Sequence, residues 1–532
     1  MIRRTPILVL TLAANLAGCA TAARVPRALT TRPERTEYRE TSRYDEVVAF
    51  VEAADRASPL IHLTTFGRTN EGRDLPLAVV GRVADATPAA VRASGKTVVY
   101  LQGNIHAGEV EGKEALQILL REIVQRRHGA LLDSLVLLVA PIYNADGNER
   151  IDPQNRPRQH GPIGGMGVRP NAQGLDLNRD HTKLESPEAR GLARMLTEYD
   201  PHVVIDLHTT NGTYHGYHLT YAPPLHPNTP PEIDRVLRRE WLPAVTQGAR
   251  GTGWLLYYYG NVPSAEDGNA EAERGWYTFD HRPRFGTNYA GLRNRFGILS
   301  EAYSYITFEE RVRVTQDFVA RSLEWARTHA AEIRRATEAA DREDLRGRPL
   351  ALNARLRREG PVTILMGEVR EEANPVTGHM MLRRVDTVRE ERMPELQSFD
   401  AAETERVPAM YLLPMVPAMD SVVARLQMHG VRVDTLAAPP TEVVEIFRID
   451  STSVAERAFQ GHRERRIWGR WATTTLDFMP QVLAVPMDQP LARLIFTLLE
   501  PRSDDGFAAW NLLDSQIENG RTYPILRVPA SP

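Results

Sequence analysis

The sequence predicts an α/β protein with a mixed, mostly parallel central sheet covered by helices on both faces, followed by a smaller α+β module. Four short apolar runs have the length and composition of strands buried on both faces. These runs are residues 97–101, 135–139, 202–207 and 296–299. Residues 110–124 and 188–199 lie between them and carry apolar side chains at helical spacing, which is typical of an α/β arrangement.

Local patterns predict the remaining elements. Apolar residues behind a Ser- and Asp-containing start indicate a helix over residues 42–56. Two β-type runs around a Gly-containing turn indicate strands over 61–66 and 75–83. A long helical pattern covers 311–343. Beyond residue 360 we expect strands at 361–366 and 443–449 and helices at 420–429 and 491–499.

The chain of 532 residues is too long for a single hydrophobic core. Residues 20–41 are mostly polar and rich in Arg, Thr and Pro, which is typical of a mobile tether. The charged second half of the 311–343 pattern marks a later boundary. We therefore expect a signal peptide at 1–19, a tether at 20–41, a first domain at 42–343 and a C-terminal α+β module at 344–532.

The N-terminal residues have the pattern of a secretory signal. Arg3 and Arg4 precede an apolar run over residues 7–17. The following segment, Leu16-Ala17-Gly18-Cys19, resembles the lipobox of bacterial lipoproteins, in which the cysteine becomes lipidated. Cys19 is the only cysteine of the chain, so no intramolecular disulfide can form. We expect a lipid anchor at Cys19 in the bacterial cell envelope, and Ala20 favours the outer membrane. The alternative is a plain cleaved signal with a chance cysteine.

Net charge and hydropathy argue against two classes of protein. The formal net charge is -3 at pH 7, whereas a protein that binds nucleic-acid phosphates usually has a basic excess. No apolar run after the N-terminal segment is long enough to span a bilayer. We therefore expect a globular protein with no nucleic-acid partner.

Polar residues that bind metals follow three of the predicted strands. His106 and Glu109 come shortly after the 97–101 strand, His208 ends the 202–207 strand, and Glu301 follows the 296–299 strand. Open α/β sheets bind ligands at the carboxyl ends of their strands, so these side chains can meet in space. By itself the His-x-x-Glu spacing is equally compatible with a helix start whose Glu complements the helix dipole.

Together these residues predict a catalytic zinc site. Two imidazoles and one carboxylate, from His106, Glu109 and His208, suit one Zn²⁺ that keeps an open fourth position. Glu301 is then a free carboxylate that can act as general base. Asn178 and Arg179 can bind an anion. Taken singly, each residue has a simpler structural explanation, such as a buried strand-end His or a solvated Arg.

One further carboxylate and one further arginine complete the predicted site. Asp176 is suited to hold the second nitrogen of a ligating His. An arginine that stays charged is suited to stabilise the oxyanion of a tetrahedral intermediate.

The motifs resemble those of the zinc carboxypeptidase family (M14) typified by pancreatic carboxypeptidase A. The matching segments, in the order of the family, are His106-Ala107-Gly108-Glu109, Asn144-Ala145-Asp146-Gly147, Gly174-Leu175-Asp176-Leu177-Asn178-Arg179, His208 and Glu301. The resemblance covers roughly residues 42–305 and leaves out the C-terminal module.

The resemblance assigns a role to each site residue. It implies that His106, Glu109 and His208 hold one zinc ion, with Asp176 as the acidic partner of the first histidine. It implies that Glu301 is the general base and acid. Asn178 and Arg179 would bind the C-terminal carboxylate of the substrate.

Two family positions are less well matched. The oxyanion arginine fits Arg169, with Arg156 and Arg158 as alternatives. The mobile tyrosine that contacts the substrate fits Tyr289, with Tyr277 and Tyr303 as alternatives. The residue that sets the side-chain preference has no counterpart that can be aligned.

These features predict a lipid-anchored, zinc-dependent carboxypeptidase that cuts peptides near a free C-terminus. One alternative is a zinc amidohydrolase that acts on cell-wall peptides or N-acyl amino acids, because the same ligands serve that reaction. Another is an inactive lipoprotein that only captures peptides. Capture alone requires neither the full ligand set nor a free carboxylate such as Glu301.

Overall fold

The computed structural model describes residues 27–263, 272–437, 443–476 and 481–530. The predicted signal peptide, Cys19 and the first residues of the predicted tether lie outside the described residues. Among the helices that are described, none combines the length and the apolar character that crossing a bilayer requires.

The described residues of the first domain form nine strands, and all except β8 make up one eight-stranded sheet in the order β1-β2-β4-β3-β5-β9-β6-β7. The strands are Ile61–Arg68 (β1), Asp74–Val80 (β2), Thr97–Gly103 (β3), Leu135–Ala140 (β4), Val203–Thr210 (β5), Leu219–Ala222 (β6), Leu256–Tyr258 (β7), Trp276–Tyr277 (β8) and Phe296–Tyr303 (β9). The adjacent strands β4, β3, β5 and β9 are parallel. Antiparallel pairs flank them, which confirms the predicted mixed sheet with a parallel centre.

Helices flank this sheet. They are Arg32–Arg35 (α1), Tyr44–Ala57 (α2), Pro88–Ala93 (α3), Glu111–Val124 (α4), Leu131–Ser134 (α5), Ala145–Asn148 (α6), Pro187–Tyr199 (α7), Pro231–Val236 (α8), Leu242–Arg250 (α9), Gly286–Leu292 (α10), Phe308–Thr328 (α11) and Ala330–Asp341 (α12). Every residue of β3 and β4 is buried. Burial of both faces of these strands requires cover on both sides, as the continuous apolar runs predict.

Two local expectations differ from the structure. The helical pattern over 311–343 forms two helices, α11 and α12, which meet at His329, whose backbone φ and ψ are -113° and 18°. Residues 27–41, expected in a mobile tether, instead pack on the first domain. Leu29 is buried, and the Thr41 hydroxyl donates to the buried Glu114 carboxylate at 2.8 Å. The prediction of a mobile tether is therefore wrong for residues 27–41, because buried apolar and polar contacts hold them to the first domain.

The C-terminal module is rich in sheet, and its predicted α+β character is confirmed. Two long strands, Pro349–Ala373 (β10) and Met380–Arg406 (β11), form an antiparallel hairpin. The predicted strand at 361–366 is one part of β10. The remaining strands form a six-stranded antiparallel sheet in the order β13-β16-β12-β17-β14-β15. These strands are Met410–Pro414 (β12), Asp434–Leu436 (β13), Val443–Val454 (β14), Arg465–Thr475 (β15), Val482–Pro486 (β16) and Leu526–Val528 (β17).

The module packs directly against the first domain. Its helices are Asp420–Met428 (α13) and Ala492–Leu499 (α14). Strand β8 of the first domain pairs in parallel with β11. One continuous hydrophobic cluster includes Leu101 and Ile298 from the central sheet and Tyr411 and Leu494 from the module. The two parts of the chain therefore share a core.

Candidate metal centre and substrate site

The register of three parallel strands brings the predicted site residues to one edge of the sheet. Leu207 of β5 lies opposite Gly103 of β3, and His208 lies opposite Glu301 of β9. His106 follows β3 after two residues. The chain then enters α4, which comes close to β5 because Gly112 has no side chain. A Cβ on Gly112 would lie 2.6 Å from the Leu207 Cβ. This close approach places Glu109 beside His208.

His106, Glu109 and His208 form a compact buried cluster. One ligand atom from each lies within 4.8 Å of the other two. The His106 Nδ1 is 3.0 Å from one Glu109 oxygen, and the His208 Nδ1 is 2.9 Å from the other. Ligand atoms of a tetrahedral zinc, about 2.0–2.2 Å from the ion, lie about 3.3–3.6 Å apart. The cluster therefore has nearly the size and the donor set of a zinc site.

Each of the two histidines is held from behind by an aspartate. The His106 Nε2 lies 3.0 Å from Asp176 Oδ1, as the sequence predicts, and the His208 Nε2 lies 2.7 Å from Asp206 Oδ2. With Nε2 protonated and bonded to a carboxylate, each Nδ1 is left free to bind a metal. Burial opposes the charged form, but the carboxylates of Asp206 and Glu109 raise the pKa of His208 well above its ordinary value.

The sequence interpretation missed Asp206, although the sequence contains a signal for it. Residues two apart on a strand point to the same face, so Asp206 and His208 had to be neighbours once β5 was assigned. The side-chain amide of Gln102, on β3, donates to the other Asp206 oxygen at 3.0 Å and fixes the carboxylate.

Glu301 lies beside the cluster without joining it. The residue is half-buried, and its Oε2 is buried with no hydrogen-bond partner among the described residues. Burial is the main reason that the pKa of Glu301 is raised to about 8. The negative charge of Glu109 contributes to this increase in pKa, whereas the positive charge of His208 opposes it. A carboxyl group with an unused oxygen next to a metal cluster is suited to exchange a proton with bound substrate or water.

Two arginines reach the cluster. The Arg156 Nη2 donates to Glu109 at 2.7 Å. The Arg169 Nε donates to Asp176 at 2.9 Å, and its Nη1 lies 3.7 Å from Glu109. The Arg169 side chain is 42% exposed, so it lies at the open side of the site. Arg158 points elsewhere and donates to the Tyr214 hydroxyl.

Asn178 and Arg179 form a short turn next to Asp176. The Asn178 side-chain oxygen accepts from the Gly286 N–H at 2.8 Å, which fixes the turn against α10. The Arg179 guanidinium lies 3.8 Å from the centre of the Phe285 ring and 3.9 Å from an Asp176 oxygen. Burial, together with nearby cations, lowers the pKa of Arg179 to about 10. The guanidinium lies against the Phe285 ring beside Asp176, and a forked donor of this kind is suited to bind an anion.

The tyrosine prediction is wrong. Tyr289 is only 2% exposed, and its hydroxyl bonds to His429 of the C-terminal module at 2.7 Å, so it cannot close over a substrate. Of the alternatives, Tyr303 is fully buried, and its hydroxyl donates to the Thr213 carbonyl. The Tyr277 hydroxyl donates to the Glu273 carbonyl.

Tyr259 is a buried tyrosine whose ionisation is influenced by Glu301 and Glu109. Burial and the charge of Glu301 raise the pKa of Tyr259 to about 12, and Glu109 contributes in the same direction. Its hydroxyl also accepts from the side chain of Asn261. Tyr259 is the last of three consecutive tyrosines at the end of β7, and no sequence pattern distinguishes it from the other two.

We expect Asp206→Asn to weaken zinc binding by about 10–100-fold, because the neutral amide supports the His208 imidazole less well than a carboxylate does. The zinc dissociation constant would be measured by competition with a chelator. Asp133→Asn, at a side chain that is 65% exposed, is the matched control. Equal zinc affinity of Asp206→Asn and the wild type would contradict this role for Asp206.

Comparison with known proteins agrees with this geometry. Residues 47–240 match the model of the zinc carboxypeptidase family, peptidase family M14. Carboxypeptidase 2 of Trichophyton rubrum is 24% identical over 495 residues, which cover 87% of this chain and 81% of the relative.

Two bacterial metallo-carboxypeptidase structures are also similar. The protein from Burkholderia cenocepacia is 16% identical, with a TM-score of 0.41 over 55% of this chain and 70% of its own. The protein from Pseudomonas aeruginosa is 17% identical, with a TM-score of 0.40 over 54% of this chain and 69% of its own. The chain is therefore a metallopeptidase, and its residues 47–240 match the zinc carboxypeptidase family.

Proposed function

We propose that this metallocarboxypeptidase uses one zinc ion to hydrolyse peptide bonds at or near the free C-terminus of peptides in the bacterial cell envelope. The observation that carries the proposal is the arrangement around Glu109. Two imidazoles face its carboxylate, each backed by an aspartate, while Glu301 lies beside them with an unused buried oxygen. A peptide-binding protein without catalysis has no need of that free carboxyl group.

His106, Glu109 and His208 would hold the zinc through two Nδ1 atoms and a carboxylate. When bound there, the ion would lower the pKa of a water molecule and polarise the carbonyl of the scissile bond. Its positive charge would also favour the ionised form of Glu301, whose pKa is raised in the metal-free protein. Glu301 then accepts a proton from the attacking water and delivers it to the leaving amine.

Arg169 and Arg179 have different roles in this proposal. Arg169 lies at the open side of the cluster, within reach of Glu109 and Asp176, and is placed to stabilise negative charge that develops on the carbonyl oxygen. Arg179, whose guanidinium lies against the Phe285 ring, can bind the terminal carboxylate together with Asn178. Binding that carboxylate would restrict cleavage to bonds near the C-terminus.

We expect Glu301→Gln to retain zinc and lose about 10²–10⁴-fold in kcat, because the amide cannot accept the proton of the attacking water. Zinc content would be measured on the same protein that is assayed with a peptide. Glu52→Gln, at a partly exposed surface site, should remain fully active. Near-normal turnover by Glu301→Gln would refute the assignment of the general base.

Arg179→Ala should raise KM for a peptide with a free C-terminus by at least about tenfold, since a charge-assisted hydrogen bond is lost. The same peptide with an amidated C-terminus should be affected much less. Arg150→Ala, which removes a surface arginine paired with Glu71, is the control. An equal loss on both peptides would remove the case for exopeptidase specificity and favour the amidohydrolase alternative.

The location rests on the lipobox. Cys19→Ser should release the protein from the membrane fraction of the producing bacterium, because serine cannot take up the thioether-linked lipid. Ala20→Asp should keep the anchor but move the protein to the inner membrane. Fractionation followed by immunoblotting measures both variants. Unchanged membrane association of Cys19→Ser would refute the lipid anchor.

A further inference from the structure

A loop of the C-terminal module reaches the candidate substrate site. Residues 455–464 connect β14 and β15, and we refer to them as the hairpin tip. At its end, the side-chain oxygen of Gln460 accepts a hydrogen bond from the Asp176 N–H at 2.8 Å. The Asp176 carboxylate in turn contacts His106 and Arg169. One side chain of the module therefore touches the segment that carries the site residues.

The backbone of the hairpin tip is shaped to present Gln460. Phe459 and His462 form an antiparallel β-bridge, in which the N–H of each donates to the carbonyl of the other at 2.7 and 3.0 Å. Gln460 and Gly461 between them have φ values of 51° and 79°, as in a type I′ turn. Asn, Asp and Gly are the usual residues at the first of these positions. The turn itself gives no reason for glutamine, whereas the contact with Asp176 does.

The hairpin tip is fastened to the first domain on both sides of Gln460. The His462 Nε2 lies 2.8 Å from a Glu185 oxygen, and Glu464 pairs with Arg284. Arg284 is buried, and its guanidinium lies 5.5 Å from the centre of the Phe459 ring. These contacts hold the tip in place, so the contact between Gln460 and Asp176 is part of a built interface.

Asp176 controls the conformation of the segment that follows it. Its Oδ1 also accepts from the Asn178 N–H at 2.9 Å and thereby starts the turn that carries Arg179. A shift of the Asp176 backbone would move both Arg169, which is bonded to its side chain, and Arg179. The backbone N–H of Asp176 is directed to Gln460.

We propose that Gln460 is a positioning residue for substrate binding, through which the C-terminal module holds the 169–179 segment in its binding conformation. This inference rests on the proposed carboxypeptidase function. Gln460 acts through Asp176, and the residues that touch the peptide are Arg169 and Arg179. The C-terminal module is then a functional part of the substrate site as well as part of the core.

The test compares Gln460→Ala and Gln460→Glu with the wild type, using the full chain. KM and kcat are measured on the zinc-loaded protein with a peptide that has a free C-terminus. Amide hydrogen exchange at Asp176 is measured on the metal-free protein, where no turnover occurs. Arg457→Ala, at an exposed position of the same tip, is the matched control.

Gln460→Ala should raise KM by up to about tenfold, the effect of losing one ordinary hydrogen bond, with little change in kcat. It should also speed exchange of the Asp176 amide. Gln460→Glu should keep this amide protected, because a carboxylate oxygen can accept the same hydrogen bond. Arg457→Ala should match the wild type in both measurements.

The proposal requires both changes in Gln460→Ala. Wild-type KM, or a raised KM with wild-type exchange at Asp176, would overturn it. Loss of amide protection in Gln460→Glu as large as in Gln460→Ala would also overturn it. A wild-type protein that binds zinc and hydrolyses no peptide would instead refute the proposed function, which separates the two failures.

Discussion

The structure depends on a buried carboxylate that two histidines share. Glu109 lies between His106 and His208, and each imidazole is bonded on its far side to an aspartate. Burying this many charges costs considerable free energy unless each one is paired and hydrogen-bonded. The parallel strands β3 and β5 supply the rigid support that holds these partners at bonding distance. The geometry of the site therefore depends directly on the arrangement of the sheet.

Much of this arrangement could be predicted from residues that end apolar runs. Parallel strands carry the polar residues at their carboxyl ends to the same edge of the sheet, and this rule predicts that His106, His208 and Glu301 meet. The position of Asp206 beside His208 can also be predicted, because it lies two residues before His208 on the same strand. Asp176 was assigned through a motif, and its contact with His106 follows that assignment.

The errors arise where distant parts of the chain meet. Tyr289 lies at a sequence position that fits a substrate-binding tyrosine. Its hydroxyl, however, bonds to His429, which is 140 residues away in sequence. The packing of residues 27–41 likewise involves distant partners, Glu114 and Arg121, which local polarity does not reveal. Strands β10 and β11 contain long stretches of exposed and charged residues, so they lack the continuous apolar alternation that would have shown their length.

The contact between Gln460 and Asp176 joins residues that are 284 positions apart. The three residues that face the metal position all precede residue 209, so they are present in the chain long before the hairpin tip is made. During synthesis, the three metal-facing residues and Gln460, which contacts Asp176, thus become available at different times. Gln460 is added only when nearly nine-tenths of the chain has been translated.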